Sequence, residues 1–504
     1  MIKILGDSGY GVYSITYQVF SFIYIIATSG IPVAISKYVS ELSKNDYHVA
    51  ALRTFKIARS FLILIGLVLS ILMAAFSGVL ANLMNTPEAK MGLLALSPCI
   101  LFTSILSAYR GYFQGRRQMS PTAFTQIAEQ IVNLAVSIGL AYILMKTSME
   151  AGVAGGSAGT SAGAFAALLV ILVIFKNYMK NGYAVPHNNI RSPYSYKDLL
   201  KTLGKYSIPI TFCAAVQYGG NLVDAWNTKG RLIVSGLTDV EANIQYGFLN
   251  KSQQLINVPV SLIIALAVAM LPAIAESVSV GDRTSAVNKI KYSLRLCYIV
   301  SVPFAFGFLV LNKSIYQILF YSGGSEVLLY AALTLIFLAT AQIQTSILQG
   351  INKLYYAALS LAIGIGVKIG MNYFLIADPS IRIFGAVIGT FVSMAVIIYI
   401  NQYMINNKEG LQIRLVPLLW RPLSSSIYMA AVVCVTYYLP SRYLPQYFSG
   451  YIGNLVLTLI SVIIGVLVYF IFMAKLGGLT KKDLDSISGK FYRILPRFMK
   501  RMLS

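Results

Sequence analysis

The chain has 504 residues, 57% of them hydrophobic and 11% charged. Soluble domains carry about 25% charged residues. A mean hydropathy of +0.71 over this length excludes a cytosolic enzyme, a disordered chain and a secreted disulfide scaffold. Lys plus Arg number 40 against 17 Asp plus Glu, a net charge of +23. Nucleic-acid binding is one origin of such a charge, but here the basic residues collect between apolar runs, as in the cytoplasmic loops of membrane proteins. No nucleic-acid partner is expected.

Taken in chain order, thirteen apolar segments are long enough to cross a bilayer: 12–36, 60–83, 91–109, 121–145, 152–175, 206–228, 246–275, 296–312, 327–349, 354–376, 383–404, 422–439 and 451–474. Barrel strands would alternate and be much less apolar, and lipid forces backbone groups to pair within the segment. The expected fold class is therefore an all-α polytopic membrane protein. Cys99, Cys213, Cys297 and Cys434 lie in apolar runs, and His48 and His187 in polar loops. None has metal-site spacing, so no metal and no cofactor are expected.

Alternate connections (37–59, 110–117, 176–205, 283–295, Lys353, 408–421 and the tail after Lys475) hold 30 of the basic residues. The intervening loops and the N-terminus hold 8, and Lys251 and Lys368 lie inside spans. This split predicts a multi-pass membrane protein with a cytoplasmic C-terminus. With thirteen spans it also places Met1 outside.

An internal repeat bears on that placement. At an offset of 236 residues Tyr10-Gly11 matches Tyr246-Gly247, Gln18 matches Gln254, Arg53 matches Lys289 and Arg59 matches Arg295; at 235, Gln114-Gly115 matches Gln349-Gly350. The common order predicts two similar, parallel helical lobes. The expected division is an N-terminal lobe at 1–177, a cytoplasmic loop at 178–205, a C-terminal lobe at 206–405, two extra helices at 406–474 and a basic tail at 475–504. The mate of span 206–228 would precede Met1. Five helices of a six-helix first lobe are thus expected, and the missing one would complete fourteen spans and bring the N-terminus to the cytoplasm.

Ionisable groups inside spans are costly and point to function. Gln126, Glu129, Gln130, Asn133 and Ser137 share one helical face, which is expected to line a cavity or meet another helix. The repeat partners of Asn133 and Ser137 are Lys368 and Asn372. A Glu129–Lys368 pair or amide contacts between helices are the structural alternatives. Arg59 and Arg295 are repeat mates near the basic-loop ends of their helices. Each is suited to phosphate by its planar fork, or to snorkelling toward phospholipid. Gln217, Asn221, Asp224 and Lys251 lie near the opposite helix ends, as a gate, an ion site or helix-end contacts. Gly364-Ile365-Gly366 and the Gly/Ala-rich 152–165 read as close helix packing rather than nucleotide loops. The tail at 481–501 has the pattern of an amphipathic helix on an anionic leaflet.

Several stretches resemble the stage V sporulation protein B-like polysaccharide transporters of the MOP flippase superfamily, with the MurJ-type lipid II flippases and the MATE exporters. They are Gly30-Ile31-Pro32-Val33-Ala34-Ile35-Ser36, Arg110-Gly111-Tyr112-Phe113-Gln114-Gly115, Met119-Ser120-Pro121-Thr122-Ala123, Glu129-Gln130 and Leu348-Gln349-Gly350. The resemblance implies two six-helix lobes plus two C-terminal helices around a central cavity. The implied activity is transport of an undecaprenyl-linked cell-wall or polysaccharide precursor by alternating access, with membrane lipids and a coupling ion as further partners. The alternatives are an ion-coupled drug exporter centred on Glu129 and a membrane-embedded glycosyltransferase, which would need acidic residues in a large external loop. MurJ-type proteins carry cavity arginines on their first two helices, and span 12–36 has none.

Overall fold

The computed structural model describes residues 1–181, 195–320, 323–351, 353–448 and 450–478; the tail expected to form an amphipathic helix lies outside the described residues. Regular structure among the described residues is helical throughout. Ten helical segments among them are long and apolar enough to cross a membrane, or eleven if a pair bent by 50° counts as one span. The chain divides into two compact units, Met1–Gly247 and Phe248–Ser504.

In the first unit, α1 (Ile2–Thr28) and α2 (Gly30–Lys44) make one long span broken at Ser29. Pro32 is the cause: it has no N–H, and its ring crowds the carbonyl four residues back, which is Thr28, where α1 stops. Gly30 then admits α8 (Tyr196–Val234). A Cβ at Gly30 would lie 2.1 Å from Thr211 Oγ1 and 2.3 Å from the Ser207 carbonyl. The repeat assigns α8 to the second lobe, but its packing is with α1 and α2, and the unit boundary falls inside α9 (Asp239–Ser279).

Next come α3 (His48–Ala75), the short α4 (Ser77–Leu83) and α5 (Lys90–Gly115). Gly111 and Gly115, one turn apart on α5, let it sit directly on α2. A Cβ at either would lie 2.7 Å from a carbonyl oxygen, that of Pro32 or that of Ser36. The family-like Gly-Ile-Pro and Arg-Gly-Tyr-Phe-Gln-Gly stretches are thus two sides of one helix contact. Phe61, Leu64, Leu67, Val68 and Ile71 of α3 stand exposed, the apolar outer face that lipid rather than water would cover.

The hairpin of α6 (Ser120–Leu144) and α7 (Met149–Lys180) closes through small residues. A Cβ at Gly155, Gly159 or Gly163 would come within 2.7 Å of α6 backbone atoms. The 152–165 stretch therefore packs helices, as expected.

The second unit holds most of α9, then α10 (Arg283–Leu319), the bent pair α11 (Ser325–Ala331) and α12 (Thr334–Gly350), α13 (Leu354–Leu375) and α14 (Phe384–Tyr403). It ends with α15 (Val416–Tyr443), the single turn α16 (Pro445–Phe448) and α17 (Tyr451–Lys475). Gly364 of α13 meets Ile397, and Ser393 Oγ donates to the Gly364 carbonyl at 2.7 Å, so this glycine too serves packing. The α15–α17 hairpin is stitched to α10. Asn454 Oδ1 accepts from Ser314 and Tyr437 hydroxyls at 2.9 Å each, and Tyr469 donates to the Ile299 carbonyl at 3.0 Å.

Candidate functional site

The polar face of α6 is divided by its neighbours. Glu129 is held by Arg110 of α5: Nη2 donates to Glu129 Oε2 at 2.7 Å, and Nε donates to Thr125 Oγ1 at 3.0 Å. Thr125 and Glu129 are one turn apart, so one guanidinium edge meets two acceptors on the same helix face. The two side chains are 17% and 19% exposed, a charge pair half-withdrawn from solvent within the span helices. Charge-assisted contacts of this length are roughly twice as strong as neutral ones.

Further along α6, Asn133 and Ser137 turn toward α7. Ser137 Oγ lies 2.9 Å from Asn133 Oδ1 and donates to the Gly156 carbonyl at 2.7 Å. Gly159 sits against the same hydroxyl. Gln126 and Gln130 stay exposed. Five residues on one expected face thus have three environments: ion pair, interhelical contact and open surface. Helical spacing gives their common direction, but the neighbours decide how much is covered at each level.

Lining the same unit, α1 presents an aromatic ladder of Tyr10, Tyr13, Tyr17, Phe20 and Tyr24, with successive ring centroids 4.5 to 6.3 Å apart. Tyr17 shares a short hydrogen bond with Thr160 of α7. Sequence reasoning missed both this ladder and Arg110. The expected span ended at residue 109 and left Arg110 in a loop, whereas α5 continues to Gly115. The available signal was an arginine flanking a span in a chain with an intramembrane glutamate on the next one.

The repeat mates Arg59 and Arg295 do different work. Arg59 Nη1 donates to the Tyr109 hydroxyl at 3.1 Å, and its guanidinium lies 5.6 Å from the Phe55 ring centroid. Arg295 Nη2 donates to the Gly478 carbonyl at 2.9 Å, while Arg421 Nη1 donates to the Gly477 carbonyl at 2.6 Å. The two arginines hold the carbonyl end of α17, where basic groups favour the helix dipole.

On α13, Asn372 is fully buried, with its Oδ1 close to where a Cβ on Gly389 of α14 would stand; Lys368 is part-exposed one turn earlier. Glu129 already has its counter-charge in Arg110. Among the gate candidates, Asp224 is buried and Asn221 exposed, while the side chain of Gln217 lies outside the described residues. Lys251 is fully buried, with Nζ 5.0 Å from the Phe248 ring centroid and 5.8 Å from that of Phe320. No grouping of metal-ligating side chains occurs among the described residues.

The comparisons agree with this architecture. The chain is 25% identical to the lipid II flippase MurJ of Bacillus subtilis (strain 168) over 74% of this chain and 72% of that protein. It is 26% identical to stage V sporulation protein B of the same organism, over 82% and 80%. Among solved structures, an inward-facing multidrug resistance MATE family transporter of the MOP superfamily superposes with a TM-score of 0.64 at 14% identity, covering 82% of this chain and 96% of that one. The chain thus has the MOP superfamily fold and is a multi-pass membrane protein. The profile of the polysaccharide biosynthesis protein family matches residues 2–278, more than half of the sequence, and the chain belongs to that family.

Proposed function

We propose that this chain is a flippase that moves a lipid-linked cell-wall or polysaccharide precursor, carried on an undecaprenyl chain, across the bacterial plasma membrane by alternating access. The observation that carries the reading is family membership across residues 2–278, joined to likeness to a lipid II flippase over most of the chain. In this reading the sugar and pyrophosphate pass through polar surface while the lipid tail stays in the bilayer, and the C-terminus is cytoplasmic. Gln126, Glu129, Gln130, Asn133, Lys368, Asn372, Arg59 and Arg295 are the candidate contacts with cargo, and Gln217, Asn221, Asp224 and Lys251 the candidate gate or coupling-ion groups.

Ion-coupled drug export is the second reading, favoured by the superposition on a MATE transporter. A cationic drug would need an acidic group open to it, whereas Glu129 is engaged by Arg110 at 2.7 Å. The test is a liposome assay with defined lipid-linked sugars beside a cationic dye. Saturable movement of a lipid-linked sugar is the expected result. Movement of the dye alone would replace the flippase reading with the exporter.

A further inference from the structure

The turn from α2 to α3 and the end of α5 form an open cavity of about 250 Å3, lined by Ser40, Ser43, Lys44, His48, Arg116 and Arg117. Arg116 is built into its wall. Its Nε donates to the Tyr178 hydroxyl at 3.3 Å, and its Nη1 reaches Ser43 Oγ at 3.2 Å and His48 Nδ1 at 2.6 Å. The other ring nitrogen of His48 faces Asp46 at 3.4 Å, so that carboxylate is turned to the imidazole.

Arg117 adds a second guanidinium. It occupies the left-handed position that closes α5, with φ of 58°, where glycine is usual. Its N–H donates to the Gln114 carbonyl and that of Gln118 to the Phe113 carbonyl, each at 2.9 Å. The helix end is thereby finished without a glycine, and a cation lines the cavity instead.

We infer that this cavity is a phosphate-binding site, separate from the cargo candidates and independent of the flippase reading. Two guanidiniums, one ammonium and two hydroxyls form a donor set matched to phosphate oxygens. The volume is below the roughly 300–1,000 Å3 of pockets for drug-sized ligands, so it suits a phosphate group and its ester rather than a ligand of that size. The basic loops mark this end as the one facing the anionic inner leaflet and the cytoplasm. The phosphate is therefore a phospholipid headgroup or a free phosphate.

The second unit has its own cavity at the α9–α10 turn, of about 490 Å3, lined by Asp282, Thr284, Ser285, Asn288, Lys289 and Tyr292. There Asp282 caps α10 by accepting from the Ser285 N–H at 2.9 Å, and Lys289 donates to Ser277 Oγ at 2.7 Å. One cation and one carboxylate leave it without positive excess, and it serves as the internal control.

The test uses the full chain in nanodiscs, read by thermal unfolding. Inorganic phosphate is titrated in pure phosphatidylcholine at constant ionic strength, and phosphatidylglycerol is added in a separate series. Saturable stabilisation is expected from at least one probe. Response to phosphate alone identifies a soluble source, and response to phosphatidylglycerol alone a headgroup. In the Lys44→Gln/Arg117→Gln variant, whose changed side chains are exposed, half-saturation shifts roughly tenfold for each cation removed. Lys289→Gln leaves it unchanged. No saturable response to either probe, an unshifted double variant, or a loss caused by Lys289→Gln would each overturn the site. Should the double variant fold poorly, Arg117→Ala alone carries the same expectation for one cation.

Discussion

Arg110 and Glu129, 19 residues apart in sequence, meet at 2.7 Å across the α5–α6 corner. The pair joins two stretches that the sequence presents separately, the Arg-Gly-Tyr-Phe-Gln-Gly run and the Glu-Gln step. It puts a partly screened charge pair beside the most tightly packed hairpin of the first unit, so breaking it has a specific consequence.

Glu129→Leu leaves the Arg110 guanidinium without its counter-charge. Removing one partner of a fully buried pair costs about 3–5 kcal/mol; with both side chains nearly one-fifth exposed, the low end of that range is expected. Folded protein in the membrane should fall for the single variant and recover in Arg110→Met/Glu129→Leu, while transport is lost in both. Yield is read by gel filtration of a fluorescent fusion and transport in liposomes. Normal transport by the double variant would show that the pair only holds the corner together.

Gly159 and Gly111 test the close helix contacts. A Cβ at Gly159 would stand 2.1 Å from Ser137 Oγ and 2.5 Å from the Ser137 nitrogen, so Ser137→Ala relieves only part of the clash. Overpacking costs typically 1–3 kcal/mol. Gly159→Val should therefore lower the unfolding temperature with or without Ser137→Ala, and Gly111→Val should do the same against the Pro32 carbonyl. Unchanged unfolding temperatures would contradict the packing described for α6–α7 and α2–α5.

The two repeat-mate arginines separate by their partners. Arg295 donates to a backbone carbonyl, a bond that a lysine ammonium also makes, so Arg295→Lys should keep more transport than the same change at its repeat mate, and Arg295→Gln should expose the end of α17 to protease. Arg59 lies between Tyr109 and Phe55, where a flat guanidinium suits the rings better than an ammonium. Arg59→Lys should impair transport more than Arg295→Lys. The reverse order would remove Arg59 from the cargo candidates.

Reporter fusions test the orientation. The 30-to-8 division of basic residues between alternate loops requires a reporter after Ser504 to be active in the cytoplasm. Activity only outside the cell would reverse the whole topology.

Helix type and the approximate positions of most spans were legible in the chain itself, because length and hydropathy decide what lipid accepts. Among the described residues, α8 and α9, where spans 206–228 and 246–275 were expected, are not among the ten or eleven helical segments apolar enough to cross. The Gly/Ala-rich stretch at 152–165 and Gly364 were readable for the same reason: with no strand before them, small residues in an apolar run leave close helix approach as the physical use. The sequence also singled out Glu129 as an acid on a polar helical face. Only the tertiary structure supplied its partner, since the predicted end of α5 at 109 fell one residue short of Arg110. It likewise separated Gln126 and Gln130 from Asn133 and Ser137, and Arg59 from Arg295, although each set is equivalent by spacing or by repeat. Periodicity specifies a direction around a helix axis. Which neighbour stands in that direction depends on where glycines let backbones touch and where Pro32 interrupts the helix, and those distances exist only in the folded molecule.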